Sequence, residues 1–327
     1  MRRREFIKVI ACCAPVWPLL AQAQQNAMPM IGFIGAESGE PYSDRLGAFR
    51  EGLKETGFVE GQNVAVEYRW AEREFSRYPE LAAQLARLQV AVIAATGGEP
   101  SPQSAKAATQ TIPIVFTANG DPVREGLVES LNRPGGNATG VTIFGSAAIA
   151  KRLQLTHEIL PQLRVFGYLM NPNNPNSNIE LQGALEAARS LGIEISIHKA
   201  GNEREIDTAF AKLAEQQTRV LIVGSDAYFY YHRSQLISLA ARHAIAMIYY
   251  IAEFARDGGL LAYGNSLTDM YRLVGIYVGR ILKGEKPGDL PVVQSSKYEL
   301  VINLKTAKAL DLTIPPGVMA IADEVIE

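Results

Sequence analysis

The chain has 327 residues, 47 % of them apolar and 20 % charged, with a net charge of −2. This is globular composition, with room for one large domain or two medium ones, and it excludes disordered and fibrous classes. No run of Lys or Arg lies beyond the first few residues, so a nucleic-acid surface and electrostatic binding to membranes are both excluded.

The first 23 residues read as an export leader. Arg2, Arg3, Arg4 and Lys8 make a basic start, Ile7 to Leu20 is largely apolar, and Ala21-Gln22-Ala23 is a small-x-small cleavage site. Pro15 and Pro18 break the apolar run, which is too short for a membrane span. Arg3-Arg4-Glu5-Phe6-Ile7-Lys8 fits a twin-arginine signal, but Arg2 stands where Ser or Thr is usual, so the general secretory route stays open. Cys12 and Cys13 both fall in this leader. Val9-Ile10-Ala11-Cys12 has the form of a lipidation box, with a shorter apolar core ahead of it than such leaders carry. Cleavage after Ala23 leaves a cysteine-free, acidic chain, expected in the periplasm and built on a core that needs no disulfide.

After the leader, strand and helix patterns alternate. Met30 to Ile34 is a short apolar strand, and Asp44 to Thr56 is a helix with Leu46, Phe49 and Leu53 on one face and Gly57 at its end. Val64 to Tyr68 alternates as a strand, Tyr78 to Leu88 is helical, and Val90 to Ala95 is a buried strand ending in Thr96-Gly97-Gly98. A helix at Ser101 to Gln110 and a strand at Ile112 to Thr117 lead into the loop Ala118-Asn119-Gly120-Asp121-Pro122. The bend "LNRPGGNATG", Leu131 to Gly140, interrupts the pattern. It restarts with helices at Ala148 to Leu160, Ile179 to Leu191, Ile206 to Gln216 and Ser234 to His243. Between and after them lie strands at Val165 to Met170, Glu194 to Lys199, Val220 to Val223 and Ile245 to Tyr250. A strand at Leu260 to Tyr263, a helix at Met270 to Leu282, a linker, and a last strand (Tyr298 to Asn303) and helix (Thr306 to Leu310) complete the chain.

Strand–helix–strand at this spacing makes parallel sheets with helices on both faces. Eleven or so strands are too many for one sheet. The Pro/Gly bend divides them into two doubly wound Rossmann-like lobes, an α/β architecture; an eight-fold barrel, the competing arrangement, leaves the bend unexplained. Ligands of such sheets bind beyond the carboxyl ends of the strands. The residues there are Gly35 to Ser38, Thr96 to Gly98, Ala118 to Asp121, Asn171 to Asn178, Gly224 to Asp226 and Gly264 to Ser266, all small or polar apart from Pro172 and Pro175. Any one such loop is an ordinary turn; six of them on two facing lobes point to a cleft. Aromatics collect at the same edges: Tyr42, Tyr228 to Tyr231, Tyr249, Tyr250 and Tyr263. They are core residues or the wall of a site for a flat organic ligand.

Catalytic and cofactor motifs are missing. The four histidines are scattered, and no HExxH, GxSxG, phosphate loop or GxGxxG after the first strand is present. No metal and no cofactor are expected. Glu37, Asp121 and Asp226 stand near strand ends, where an acid–base pair would make a secreted hydrolase, and where helix capping is the plainer role.

Several stretches together carry a family resemblance: "IGFIGAESGEPYSDRLGAFREGLKETGFVEGQNVAVEYRWAE", "TIPIVFTANGDPVREGLVESLNRPGGNATGVT", "LMNPNNPNS", "LIVGSDAYF", "EFARDGGLLAYG" and the tail from Leu300 to Glu327. On these the chain resembles the ABC-transporter substrate-binding proteins of the tryptophan/tyrosine-binding (TrpX-like) group. The resemblance implies a type I periplasmic binding protein, a monomer that does no catalysis and delivers a small-molecule ligand to an ABC permease with its ATPase. It implies lobe one at 28–142 plus 251–283 and lobe two at 143–250 plus 284–327, with crossings near Val141-Thr142, Tyr250 and Gly284. For an aromatic amino acid or related carboxylate it implies that Ser38, Thr96 and Gly97 of lobe one and Asn171, Asn176 and Ser177 of lobe two hold the carboxylate. Asp226 then takes an ammonium or hydroxyl group, with Asn119 and Asp121 on the rim. A ligand sensor for a membrane receptor would bind in the same way. In "NPNNPNS", Pro172 and Pro175 stiffen the loop and Ser177 with Glu180 reads as a capping box. That leaves Asn171 and Asn176 as the ligand clamp and Ser177 shared between the two roles.

Overall fold

The computed structural model describes residues 28–38, 42–98, 100–143, 145–174 and 176–327. The leader readings at Arg3, Cys12 and Ala23, and Pro175 of the asparagine loop, lie outside those residues. Among the described residues the chain runs β1 (Met30–Gly35), α1 (Ser43–Glu55), β2 (Ala65–Trp70), α2 (Tyr78–Arg87), β3 (Val92–Ala95), α3 (Pro100–Ala108), β4 (Ile114–Ala118) and β5 (Ala138–Thr142). It continues with α4 (Gly145–Ile159), β6 (Val165–Met170), α5 (Ser177–Leu191), β7 (Glu194–Lys199), α6 (Glu203–Glu215), β8 (Val220–Val223), α7 (Ala227–Tyr231), α8 (Arg233–Arg242) and β9 (Ala246–Tyr249). The last elements are α9 (Ala252–Arg256), β10 (Leu261–Asn265), α10 (Leu267–Leu282), β11 (Val293–Gln294), β12 (Tyr298–Asn303), α11 (Leu304–Ala309), α12 (Pro316–Met319) and β13 (Glu324–Ile326).

These strands form two sheets. The first has the order β11-β5-β4-β3-β1-β2, parallel throughout. The second has the order β13-β12-β10-β9-β8-β6-β7, parallel except where β12 runs antiparallel to β10, with Leu261 opposite Ile302. β3, β4, β8 and β9 are buried along their whole length. Helices cover both faces of such central strands, which is why they read as unbroken apolar runs rather than alternating ones. Lobe one is sealed by α1 and α10, which pack backbone to backbone. A Cβ on Gly52 would overlap the Arg272 carbonyl oxygen, and one on Gly275 would overlap that of Phe49. Glycine at the contact is what permits that approach.

The lobe boundaries differ from the expected ones. The resemblance places Leu260–Tyr263 in lobe one; β10 instead pairs with β9 and β12 in the second sheet. The chain therefore returns to lobe one after Asn265, where Ser266 caps α10 through the Asp269 amide, and not near Tyr250. The final crossing lies after β11, whose Val293 pairs with Val141 at the edge of the first sheet, and not near Gly284. The connections are tied together: the Ser295 amide donates to the Thr142 carbonyl at 2.9 Å, and Asn265 Nδ2 donates to the Ser295 carbonyl at 2.7 Å.

Candidate functional site

Residues at the carboxyl ends of both sheets line one cavity, where ligands of parallel sheets bind. From lobe one come Tyr42 and Arg45 of the first helix, Gly97 and Gly98 after β3, Thr117 and Asn119 at the end of β4, and Leu267, Met270 and Tyr271 of α10. From lobe two come Ala227, Tyr230 and Tyr231 of α7, and Tyr250 and Ile251 after β9. They line a cavity of about 50 Å³. The Tyr42 and Tyr271 hydroxyls are 2.6 Å apart, their rings meet edge to face at 5.8 Å, and the Tyr230 and Tyr231 rings do so at 5.2 Å. Gly97 has φ +100°, and a Cβ there would stand 2.6 Å from the Tyr78 hydroxyl, so the β3 turn is specific to glycine.

Arg45 is the charged centre of this wall. The inward stripe of α1 is Arg45, Phe49, Gly52 and Leu53, which puts a guanidinium on the core face of the helix. Its Nη2 donates to Glu253 Oε1 at 2.9 Å and to the Tyr230 hydroxyl, both in lobe two. The guanidinium lies 5.0 Å from the Tyr42 ring centre and 4.8 Å from that of Tyr230, within cation–π range. Burial works against the Arg45 charge, but Tyr230 and Glu253 more than offset it. Burial likewise opposes ionisation of Glu253, and the Arg45 charge outweighs it, holding that carboxyl below the usual range.

The predicted site residues divide sharply. Gly97 and Asn119 line the cavity. Thr96 is buried beneath it, its hydroxyl donating to the Ile34 carbonyl at 2.8 Å. Ser38 is exposed and donates to Glu72 at 2.8 Å. Asp121 caps its own turn by accepting from the Val123 amide at 2.9 Å. Tyr263 lies in lobe two, stacked on Tyr298 at 5.6 Å. Asp226 is the N-cap of α7, accepting from the Tyr228 amide at 2.8 Å. It also accepts from Asn171 Nδ2 at 3.2 Å and Asn174 Nδ2 at 2.6 Å. Burial pushes its carboxyl up, and those amides push back. The asparagine loop therefore clamps Asp226. Ser177 donates to the Asn171 carbonyl at 2.7 Å, and Glu180 takes the Ser225 amide, the Ser225 hydroxyl and Arg152, so the expected capping box does not form. Asn176 Nδ2 reaches across the cleft to Glu125 Oε1 at 3.3 Å.

The aromatic signal located the site better than the loop polarity did: Tyr42, Tyr230, Tyr231 and Tyr250 all line the cavity. Arg45, Met270 and Tyr271 were missed. The signal for Arg45 was its place in the apolar stripe, four residues before Phe49 and eight before Leu53.

Two lobes with a cavity between their carboxyl edges form the type I periplasmic binding architecture. The family model for ABC transporter substrate binding protein matches residues 37–326. The chain belongs to that family. This substrate-binding protein is 28 % identical over 264 residues to a tyrosine-binding protein from Clostridioides difficile (strain R20291), covering 81 % of this chain and 75 % of that one. Its fold matches the ABC domain in complex with L-Trp from Streptococcus pneumonia, with a TM-score of 0.82 at 24 % identity over 92 % of this chain and all of the other. Against the ligand-free, open substrate binding protein with adhesive properties from Clostridium difficile the TM-score is 0.70 at 25 % identity, covering 91 % and 99 %. Proteins of this family work outside the cytoplasm, and among the described residues no helix is long and apolar enough to cross a membrane.

Proposed function

We propose that this protein captures an aromatic amino acid, or a closely related aromatic carboxylate, between its lobes and presents it to an ABC permease with its ATPase. The observation that carries the reading is the cavity walled by Tyr42 and Tyr271 from one lobe and Tyr230, Tyr231 and Tyr250 from the other. Flat faces on both sides suit a planar ring, and tyrosine hydroxyls supply polar contacts at its edge. The tyrosine-binding relative and the L-Trp complex support the same ligand class. A cavity of about 50 Å³ is far below the roughly 300 Å³ of a small-ligand site, so the ligand enters by hinge opening at the three crossings. The role is binding as a monomer, without chemistry: of the three carboxylates near strand ends, Asp121 and Asp226 act as caps and Glu37 is paired with Arg73.

A thermal-shift screen against amino acids, aromatic acids and sugars tests the reading. Aromatic amino acids should raise the melting midpoint, by an amount corresponding to about 2.7 kcal/mol at a hundredfold excess over Kd. A screen in which only sugars stabilise the protein would refute it.

A further inference from the structure

Two buried groups of opposite charge at the interlobe face each keep one polar atom without a partner among the described residues. The Arg45 side chain is 5 % exposed and its Nη2 is engaged by Glu253 and Tyr230, yet its Nε meets no acceptor. The Glu37 side chain is 4 % exposed; Oε2 accepts from Arg73 Nε and Nη2, each at 2.6 Å, while Oε1 meets no donor. An unmade hydrogen bond on a buried charge carries the full desolvation penalty of that atom. Most buried polar atoms of a native fold are satisfied, so two unmatched atoms of opposite charge near one cleft are a reason to look for a ligand there.

Arg45 lines the cavity. Glu37 follows β1 at the same carboxyl edge of the first sheet, and its charge acts on Tyr230 and Arg233 in the opposite lobe. The other candidate for an ammonium partner, Asp226, is occupied by Asn171, Asn174 and the Tyr228 amide.

Resting on the reading of the cleft as a ligand site, we infer that Arg45 Nε donates to the α-carboxylate and Glu37 Oε1 accepts from the α-ammonium of the ligand. The ligand is then a zwitterionic α-amino acid, distinguished from the amine or the acid that carries the same ring. The charge balance leads to the same selection. Arg45 is neutralised by Glu253, and Glu37 by Arg73. A ligand with no net charge adds none to this buried region, whereas an amine or an acid alone brings an uncompensated charge into it.

The test is calorimetric titration of the protein with L-tyrosine, tyramine and 3-(4-hydroxyphenyl)propionate. The wild type should bind L-tyrosine roughly tenfold or more tightly than either analogue, the effect of losing one charged hydrogen bond. Glu37→Gln should weaken L-tyrosine by a similar factor and leave the propionate unchanged or tighter. Arg45→Gln combined with Glu253→Gln, which leaves no unpaired charge, should weaken L-tyrosine and the propionate but not tyramine. If the wild type binds an analogue as tightly as L-tyrosine, or if Glu37→Gln weakens L-tyrosine and the propionate equally, the inference is overturned and the cleft reading survives. If the wild type binds none of the three and does not bind L-tryptophan either, the cleft reading fails and the inference with it; if it binds only L-tryptophan, the same comparison is made with tryptamine and 3-indolepropionate.

Discussion

Arg45 of lobe one and Glu253 of lobe two form an ion pair 2.9 Å long across the cleft, and the Arg45 side chain is almost fully buried. Removing one member of a buried pair leaves the other desolvated and uncompensated, at a cost of about 3–5 kcal/mol. Opening the lobes relieves that cost by returning Arg45 to water. Glu253→Ala should therefore shift the protein toward an open form, seen as a larger radius of gyration by small-angle X-ray scattering without added ligand. An unchanged radius would show that the pair does not hold the lobes together.

Asp226 is a structural hub. Its carboxylate satisfies two asparagine side chains and the first turn of α7, and its carbonyl accepts from the Tyr249 hydroxyl at 2.8 Å. Asp226→Ala orphans the two asparagine amides and the Tyr228 N–H while keeping the Tyr249 bond to the backbone, and the lost cap and buried amides together should cost about 2–4 kcal/mol. Urea unfolding without ligand should show this loss directly. A variant of native stability that has lost only ligand binding would restore Asp226 as a ligand contact.

The contrast between Asp226 and Arg45 shows what the sequence made legible. Two parallel-sheet lobes followed from strand spacing and the bend at Leu131 to Gly140, because the period of burial is local. Tyr42, Tyr230, Tyr231 and Tyr250 of the tyrosine wall followed from their places just beyond strand ends, whereas Tyr271, inside α10, did not. The asparagine loop misled because short amides at a strand tip look alike whether they hold a ligand or a carboxylate 55 residues away, as Asn171 holds Asp226. Arg45 stayed hidden because its partner Glu253 lies 208 residues on and in the other lobe. The place of β10 was misjudged because a strand's neighbours depend on nonlocal pairing, here with β12.

The glycine contact between α1 and α10 sets the position of Arg45. Gly52→Ala would drive a methyl group into the Arg272 carbonyl. Overpacking of this kind costs about 1–3 kcal/mol. Because α1 carries Arg45, the variant should lose ligand affinity as well as thermal stability. If stability falls with affinity unchanged, the helix is not what places Arg45.

Glu125 gives a pH signature. Burial raises its carboxyl above the ordinary value, the bond from Asn176 lowers it, and Asp121 nearby adds to the rise. Between the ordinary and the raised value, the folded protein keeps a proton that the unfolded chain releases, so this contribution to stability is lost as pH rises through that window. Glu125→Gln keeps an acceptor for Asn176 and removes the titration. The melting difference between variant and wild type should move in the variant's favour from about pH 4 to about pH 7. A difference that is flat across this range would contradict the assignment.

The central claim is that the tyrosine-walled cleft binds an aromatic amino acid. Isothermal titration of purified protein with L-tyrosine and L-tryptophan tests it most directly. The account predicts saturable binding of at least one of them at a stoichiometry of one per chain, abolished or strongly weakened when Tyr231 and Tyr271 are replaced by alanine. No heat of binding from either amino acid, in protein shown to be folded, would contradict it.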